Sequence, residues 1–360
     1  MLRLTISIPD IRVPSQCLYL PLKPHRHKNS SRLATLWDKP KEPVSIRKKI
    51  IELFIRSQYF CTKRVSLYWN SFIMGVNMSR FSILQISDTH LSPRTDHFRE
   101  NNRLLAEPLA ESNHDFIIHT GDVTLDGIRY DEDYAFCRDF FKESGKTIHF
   151  LAGNHDVGDN PNLSKPESEN GSAINAARYA RFADYFGADR WVIDQGNWRI
   201  IGISSMLIGS GLPQEAGQYD WIDQQIASSG DRYLAVFSHQ PIYIDNTDST
   251  ELTYWTVDPK GWGRLEGLIN HPKLRLIASG HLHQQRSSKR GDVHLEWCSS
   301  IAFTTTEELV PEMGGTREVG YMEHHFSDDG HIESKVLKHH GFANDHLEDM
   351  IKVVYPLIGG

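Results

Sequence analysis

Five short apolar runs in this chain each end in a cluster of residues that bind metal ions well. No other feature constrains the fold as much. The clusters are Ser87-Asp88-Thr89-His90, Gly121-Asp122, Gly153-Asn154-His155-Asp156, Ser238-His239 and Gly280-His281-Leu282-His283. The runs ahead of them, over 81–87, 115–119, 147–151, 233–238 and 274–279, read as short and mostly buried strands. A further strand is expected over 199–205. Helical patterns over 98–112, 131–143, 174–186 and 219–228 lie between several of these strands, and such alternation predicts an α/β layered domain. In open α/β sheets the carboxyl ends of the strands meet at one crevice, so the five clusters are expected to converge. Residues 293–337 read as consecutive strands with turns at Gly314-Gly315 and Asp328-Asp329-Gly330, an antiparallel or mixed sheet appended at the end.

Together the clusters supply two aspartates, one asparagine and four histidines: Asp88, Asp122, Asn154, His90, His239, His281 and His283. His155 and Asp156 stand beside them. Hard oxygens and imidazoles suit first-row divalent or trivalent ions rather than calcium alone. In an extended segment residues i and i+2 point the same way, so Asp88 and His90 are expected to grip one ion. The same holds for His281 and His283, unless two ions divide that pair. Gly121, Gly153 and Gly280 let the backbone turn sharply and approach the metals. Any single cluster is commonplace, since Gly-Asp after a strand is usually only a turn. Five in fixed order, each closing an apolar run, are not.

This order resembles the calcineurin-like metallophosphoesterases, whose pattern is D-x-H, GD, GNH[DE], a single His and GHxH. The likeness spans about residues 81–300 and leaves 1–77 outside. It implies a layered β-sandwich core flanked by helices. It also implies a two-metal site loaded with Mn, Fe or Zn, in which Asp88, His90 and His283 hold the first ion and Asn154, His239 and His281 the second. Asp122 would bridge them. Two such ions acidify a water to hydroxide and clamp the phosphoryl oxygens for in-line attack. The resemblance sets His155 over the substrate phosphate, with Asp156 orienting its imidazole.

Departures from subfamily patterns narrow the reading. Gly121-Asp122-Val123-Thr124-Leu125-Asp126-Gly127 lacks the arginine of the protein phosphatases' GD-x-VDRG, and Leu125 stands where purple acid phosphatases place a metal-binding tyrosine. GNHD and the segment Gly217-Gln218-Tyr219-Asp220-Trp221-Ile222 resemble the bacterial cyclic-nucleotide phosphodiesterase and glycerophosphodiesterase branch. The implied activity is hydrolysis of a phosphodiester, cyclic nucleotides included, or of a small phosphorylated substrate. A broad phosphomonoesterase is the alternative, and a non-catalytic metal-binding scaffold is a third reading that the complete ligand set argues against. The loops over 157–173 and 241–262 leave the ligands directly and are expected to set specificity, the second through Tyr243, Tyr254, Trp255 and Trp262. His119 is expected to be a hydrogen-bonded core residue. His324, His325, His339 and His340 are expected to lie away from every motif.

The net charge of -7 divides unevenly, with +11 on residues 1–80 and -18 on the remainder. So acidic a body argues against nucleic acid as the main partner and could instead bind cations; the small phosphate-ester substrate is what the resemblance implies. No run reaches eighteen apolar residues, which argues against a membrane span. Cys17, Cys61, Cys137 and Cys298 are scattered without a CxxC pair, which suits a reducing compartment and a cytoplasmic location. The basic head, 1–77, is expected to be a weakly ordered extension, with a helix over 45–60 and translation that begins at Met74 or Met78. Its first residues lack the apolar core of a secretory signal, and an organelle transit peptide is the alternative reading. The catalytic domain is then expected over 78–340 and a tail over 341–360.

Overall fold

The computed structural model describes residues 80–163, 171–188, 190–244, 251–307 and 313–355. The basic head and the helix expected over 45–60 lie outside the described residues. Helices α1 (Arg99–Glu111), α2 (Asp131–Glu143), the single turn α3 (Asn154–Val157), α4 (Ala176–Phe186), α5 (Pro213–Ala227), α6 (Trp262–Ile269) and the short α7 (Ile351–Val354) alternate with or follow the strands. Among the described residues no helix is long and apolar enough to cross a membrane.

In the first sheet β1 (Arg80–Ile86), β2 (Phe116–His119) and β3 (Ile148–Phe150) run parallel. The antiparallel pair β10 (Tyr321–Ser327) and β11 (Ile332–Leu337) continues beyond β1. In the second sheet β5 (Trp198–Gly202), β6 (Tyr233–Phe237), β7 (Leu274–Ser279) and β9 (Val293–Trp297) are parallel. Antiparallel β4 (Trp191–Gln195) and β8 (Arg286–Arg290) form its edges.

Strand periodicity distributes the apolar side chains into three layers. Phe81 and Ile83 of β1 face inward and pack with Trp198, Ile200, Ala235, Phe237, Leu276 and Phe326 between the sheets. Leu84 and Ile86 face the other way, onto Leu105 of α1 and Tyr134 and Phe141 of α2. On the far side Leu234 and Val236 of β6 receive Ile222 of α5 and Leu265 and Leu268 of α6. Gln85, a polar side chain inside the sandwich, is fully satisfied there. Its Nε2 donates to the Ser279 carbonyl of the opposite sheet at 3.2 Å and to Thr120 Oγ1 at 3.1 Å. His324 Nε2 pairs with Gln85 Oε1 at 2.9 Å, which makes His324 an interior residue of the sandwich.

Among the described residues the strands and helices expected from the sequence are present, with ends shifted by up to several residues. Strands β4 and β8 and helix α6 were not anticipated, because their exposed edges and mixed composition blur the pattern. The final strands do not form an appended sheet. β9 pairs with β7 in one sheet, whereas β10 pairs with β1 in the other, so each covers a row of backbone groups that would otherwise be an open edge. Residues 341–355, read above as a tail, return to the body. Thr304 N donates to Asp345 O at 2.9 Å and Leu347 N to Thr304 O at 3.0 Å. Val354 and Tyr355 are buried with Phe98, Leu125, Ala302 and Phe303, because their apolar surface finds its cover there.

Phe237 is fully buried between the sheets and leads directly to the His239 turn. Phe237→Ala should lower the unfolding free energy measured in urea by about 3–5 kcal/mol. Val192→Ala, at an exposed position of β4, should change it by less than about 0.5 kcal/mol.

Candidate metal centre

The carboxyl ends of β1, β2, β3, β6 and β7 open on one crevice, and the ligand-type residues occupy the first turns beyond them. Asp88, His90, Asp122, His281 and His283 have φ of 53°, 42°, 51°, 70° and 52°. This is the left-handed region that side-chain-bearing residues avoid, at about 1–3 kcal/mol each. The alignment of Asp88 with His90 therefore comes from a tight turn, not from an extended segment as the sequence suggested. The first turn is hooked onto the second by Asp88 N to Gly121 O at 3.0 Å, His90 N to Asp122 O at 3.1 Å and Leu91 N to Val123 O at 3.1 Å. Two glycines are required by contact rather than by φ. A Cβ on Gly280 would overlap Ser87 Oγ and stand 2.6 Å from Asp88 Oδ2, and one on Gly153 would overlap the Asp122 carboxylate.

The side chains form two groups that share one residue. Asp88, His90, Asp122 and His283 each bring a donor atom within 4.8 Å of the others, and so do Asp122, His239 and His281. His281 and His283 thus divide between the groups. Asn154 joins the second, with Oδ1 3.1 Å from His239 Nε2.

Each imidazole is held from behind. His239 Nδ1 donates to Thr120 O, His283 Nδ1 to Phe303 O and His281 Nε2 to Tyr254 O, all at 2.8 Å. His90 Nδ1 lies 3.0 Å from the Tyr355 hydroxyl. Carbonyls only accept, so the inward nitrogens of these three rings carry lone pairs unless protonated. His239 Nε2 and His281 Nδ1 are 3.1 Å apart, and His90 Nε2 and His283 Nε2 3.2 Å apart. Facing lone pairs at that distance need a cation or a proton between them. Asp88 Oδ1 is buried with no hydrogen-bond donor. The donor set therefore fits metal ions, with backing carbonyls in the role that fixes tautomer and ring orientation in metal sites.

Electrostatics lead the same way. Burial would raise Asp122 and Asp88, yet His239 and His155 beside Asp122, and His283 beside Asp88, hold both carboxyls well below their usual range. His90 is pushed well below its ordinary value by burial and by His155. Burial and His239 take His281 down to about 3. His239 is the exception. Burial opposes its charge, but Asp122 outweighs burial and raises it to about 9.

His155 sits beside the groups without joining them. Its N donates to Asp122 Oδ1 at 2.8 Å and its Nδ1 to Leu125 O at 2.8 Å. Asp156 does not orient that ring, contrary to the expectation. Its carboxylate is taken up by backbone N–H groups of Val123, Thr124 and Gly153 and by Thr124 Oγ1, at 3.2, 2.9, 2.9 and 2.7 Å. Asp156 thereby ties the second motif to the third. His119 is a core residue as expected, with Nε2 3.0 Å from Thr89 Oγ1.

Above the groups lies a cleft of about 230 Å³ whose walls include Tyr254, Trp255, Phe303, Thr305, Leu347, Ile351 and Tyr355. Of the loop aromatics singled out above, Tyr254 and Trp255 reach this cleft, whereas Tyr243 packs on Trp262 at 5.5 Å between centroids. Phe303, Leu347, Ile351 and Tyr355 could not be anticipated, since they carry no metal-type chemistry and follow the last motif.

The family model for calcineurin-like phosphoesterases matches residues 81–285, more than half of the chain and all five clusters. The chain belongs to the calcineurin-like phosphoesterase family. It is a phosphoric ester hydrolase of that metal-dependent superfamily. A 3′,5′-cyclic adenosine monophosphate phosphodiesterase of Pseudomonas aeruginosa is 26% identical over 285 residues, spanning 71% of this chain and 89% of the relative. A probable cyclic nucleotide phosphodiesterase of Synechococcus is 27% identical over 206 residues, spanning 56% and 71%. The structure of GAP50 of Plasmodium shares the fold, with a TM-score of 0.52 and 14% identity over 73% of this chain and 86% of that one.

Two outcomes are expected. Gly280→Ala should displace Asp88 and weaken cation binding by about tenfold or more, as loss of an orienting contact does, measured by chelator competition with Mn²⁺. Cation binding must also displace the proton that His239 holds up to about pH 9. Affinity should therefore rise about tenfold per pH unit between pH 6 and 8 and level off above 9. Calorimetry in buffers of different ionisation enthalpy reads that proton release directly, and a flat profile would contradict the site electrostatics.

Proposed function

We propose that this chain hydrolyses the phosphodiester bond of a 3′,5′-cyclic nucleotide at a two-cation centre. Asp88, His90 and His283 would hold one cation and Asn154, His239 and His281 the other, with Asp122 shared. The observation that carries this reading is the membership of Asp122 in both donor groups, at the floor of a cleft with aromatic walls. When bound, the cations would acidify a water and draw charge from the phosphoryl oxygens.

The chain's own residues do the rest. Backing carbonyls and the Tyr254 hydroxyl, 2.9 Å from Asn154 Nδ2, keep the donors preset. His155, its Nδ1 committed to Leu125 O, has Nε2 left to deliver a proton to the departing ribose oxygen. Burial lowers its affinity for that proton, but Asp122 and the Leu125 carbonyl outweigh burial and raise it above the ordinary histidine value. Tyr254 and Trp255, neither of them fully buried, line the cleft where a base could stack, whereas Phe303 is packed against His283 and Phe98. The two cyclic nucleotide phosphodiesterase relatives support the same substrate class. We place the protein in the cytoplasm, where Cys137 and Cys298 remain buried thiols.

Turnover of 3′,5′- and 2′,3′-cyclic nucleotides, bis-p-nitrophenyl phosphate and p-nitrophenyl phosphate, with Mn²⁺, Fe²⁺ or Zn²⁺ added in turn, tests the reading. A 3′,5′-cyclic nucleotide should have the highest kcat/KM, and a preference for the monoester would overturn it. His155→Ala should keep both cations while kcat falls by about 10²–10⁴ on the cyclic nucleotide. The fall should be smaller on bis-p-nitrophenyl phosphate, whose leaving group needs no proton. Loss of a cation in that variant would make His155 a ligand.

A further inference from the structure

The segment 343–355 lies wholly beyond the family match, which ends at residue 285, yet it reaches the centre of the site. It is stitched to the strand-end loop after β9. Besides the backbone bonds at Thr304, Glu348 Oε1 accepts from Thr306 N at 2.6 Å and from Thr306 Oγ1 at 2.7 Å. Asn101 Nδ2 of α1 donates to Ala343 O at 2.8 Å. Tyr355 of this segment is only 6% exposed.

Tyr355 meets two imidazoles of the site. Its hydroxyl is 3.0 Å from His90 Nδ1, and its ring centroid is 5.0 Å from that of His155. It packs in one apolar cluster with Leu125 and Phe303. Those are the residues whose carbonyls hold His155 Nδ1 and His283 Nδ1, both at 2.8 Å. Three imidazoles, His90, His155 and His283, are thus oriented by a single cluster that the C-terminal segment completes. The opposite group has separate supports: Thr120 O behind His239, Tyr254 O behind His281 and the Tyr254 hydroxyl at Asn154.

From this division we infer that Tyr355 is a positioning residue for one half of the centre only. With His90 Nε2 turned inward to the donor group, its Nδ1–H donates to the Tyr355 oxygen. That bond fixes the tautomer and the ring plane, the part the backing carbonyls play for the other three histidines of the two donor groups. Alone among those four imidazoles, His90 is supported by a side chain, and that side chain comes from outside the motif region. The inference rests on the two-cation reading of the site.

Tyr355→Phe isolates the hydroxyl, since the ring and its packing against Phe303 and Leu125 remain. Stepwise titration of the metal-free variant with Mn²⁺ should show one of the two binding steps weakened by about tenfold or more. The other step should stay at its wild-type value, and the melting temperature of the metal-free protein should be unchanged. Excess Mn²⁺ should restore most of the lost turnover. Two unchanged steps would overturn the inference, and so would equal weakening of both together with a lower melting temperature, the mark of a purely structural residue. In the metal-free protein the His90 Nδ1–H resonance should be present in wild type and lost in the variant. Its persistence would overturn the inference even if the variant folded poorly. Wild-type protein that took up no cation would instead refute the two-cation reading, and the inference would fall with it.

Discussion

Two carboxylates buried among imidazoles set the terms for everything around them. Asp88 and Asp122 are 0% and 2% exposed, and an ionised carboxylate at such depth is costly unless charge and hydrogen bonds compensate. The compensation is local and directional. The His281 amide donates to Asp88 at 3.0 Å and the His155 amide to Asp122 at 2.8 Å, while histidine rings supply the remaining positive potential. Amides reach the carboxylates only where the backbone passes within contact distance, and that is why Gly280 and Gly153 have no room for a side chain.

This closeness also explains where strain is stored. Among the described residues the non-glycine positions with positive φ are five of the ligand-type residues and Phe98. Such turns persist only when surrounding structure over-determines them. Here the sandwich core does so, because each turn leaves a strand whose last residues are buried. The Gln85 network adds a polar tie beneath the site. It joins β1 to Ser279, two residues before His281, and Thr120 to Ser87 at 2.8 Å, one residue before Asp88. Ligands drawn from both sheets are in this way referred to one frame.

The two halves of the centre are nevertheless supported differently. The His239–His281–Asn154 side leans on the β2 turn and on Tyr254 of the loop after β6. The His90–His283 side leans on the chain after β9 and on the C-terminal segment. The cleft inherits the same division, with Tyr254 and Trp255 on one wall and Phe303, Leu347, Ile351 and Tyr355 on the other. The ligand-type residues and most of the aromatic and aliphatic walls of the cleft are therefore carried by different stretches of chain, as is usual for loops on a rigid scaffold.

Much of this was legible in the sequence, for a physical reason. Short apolar strands ending in ligand-type residues leave few ways to bury the strands and keep the polar groups together, so Asp88, His90, Asp122, Asn154, His239, His281 and His283 could be named before any coordinates. What was not legible depended on contacts between distant segments. Periodicity gave Asp88 and His90 an extended geometry, whereas hydrogen bonds to the β2 turn impose left-handed turns. Proximity in sequence assigned Asp156 to His155, whereas four donors from neighbouring turns claim its carboxylate. The last strands split between two sheets because each sheet had an edge to cover. Tyr355, with nothing in its local sequence to mark it, reaches His90 because α7 and its neighbours bury their apolar surface beside Phe303. The sequence by itself determined which ligand-type groups are brought together, since that depends on residue type and on strand ends. Only the tertiary structure decided what holds each group in place, since a hydrogen bond or a packed ring is settled by distance in space and not along the chain.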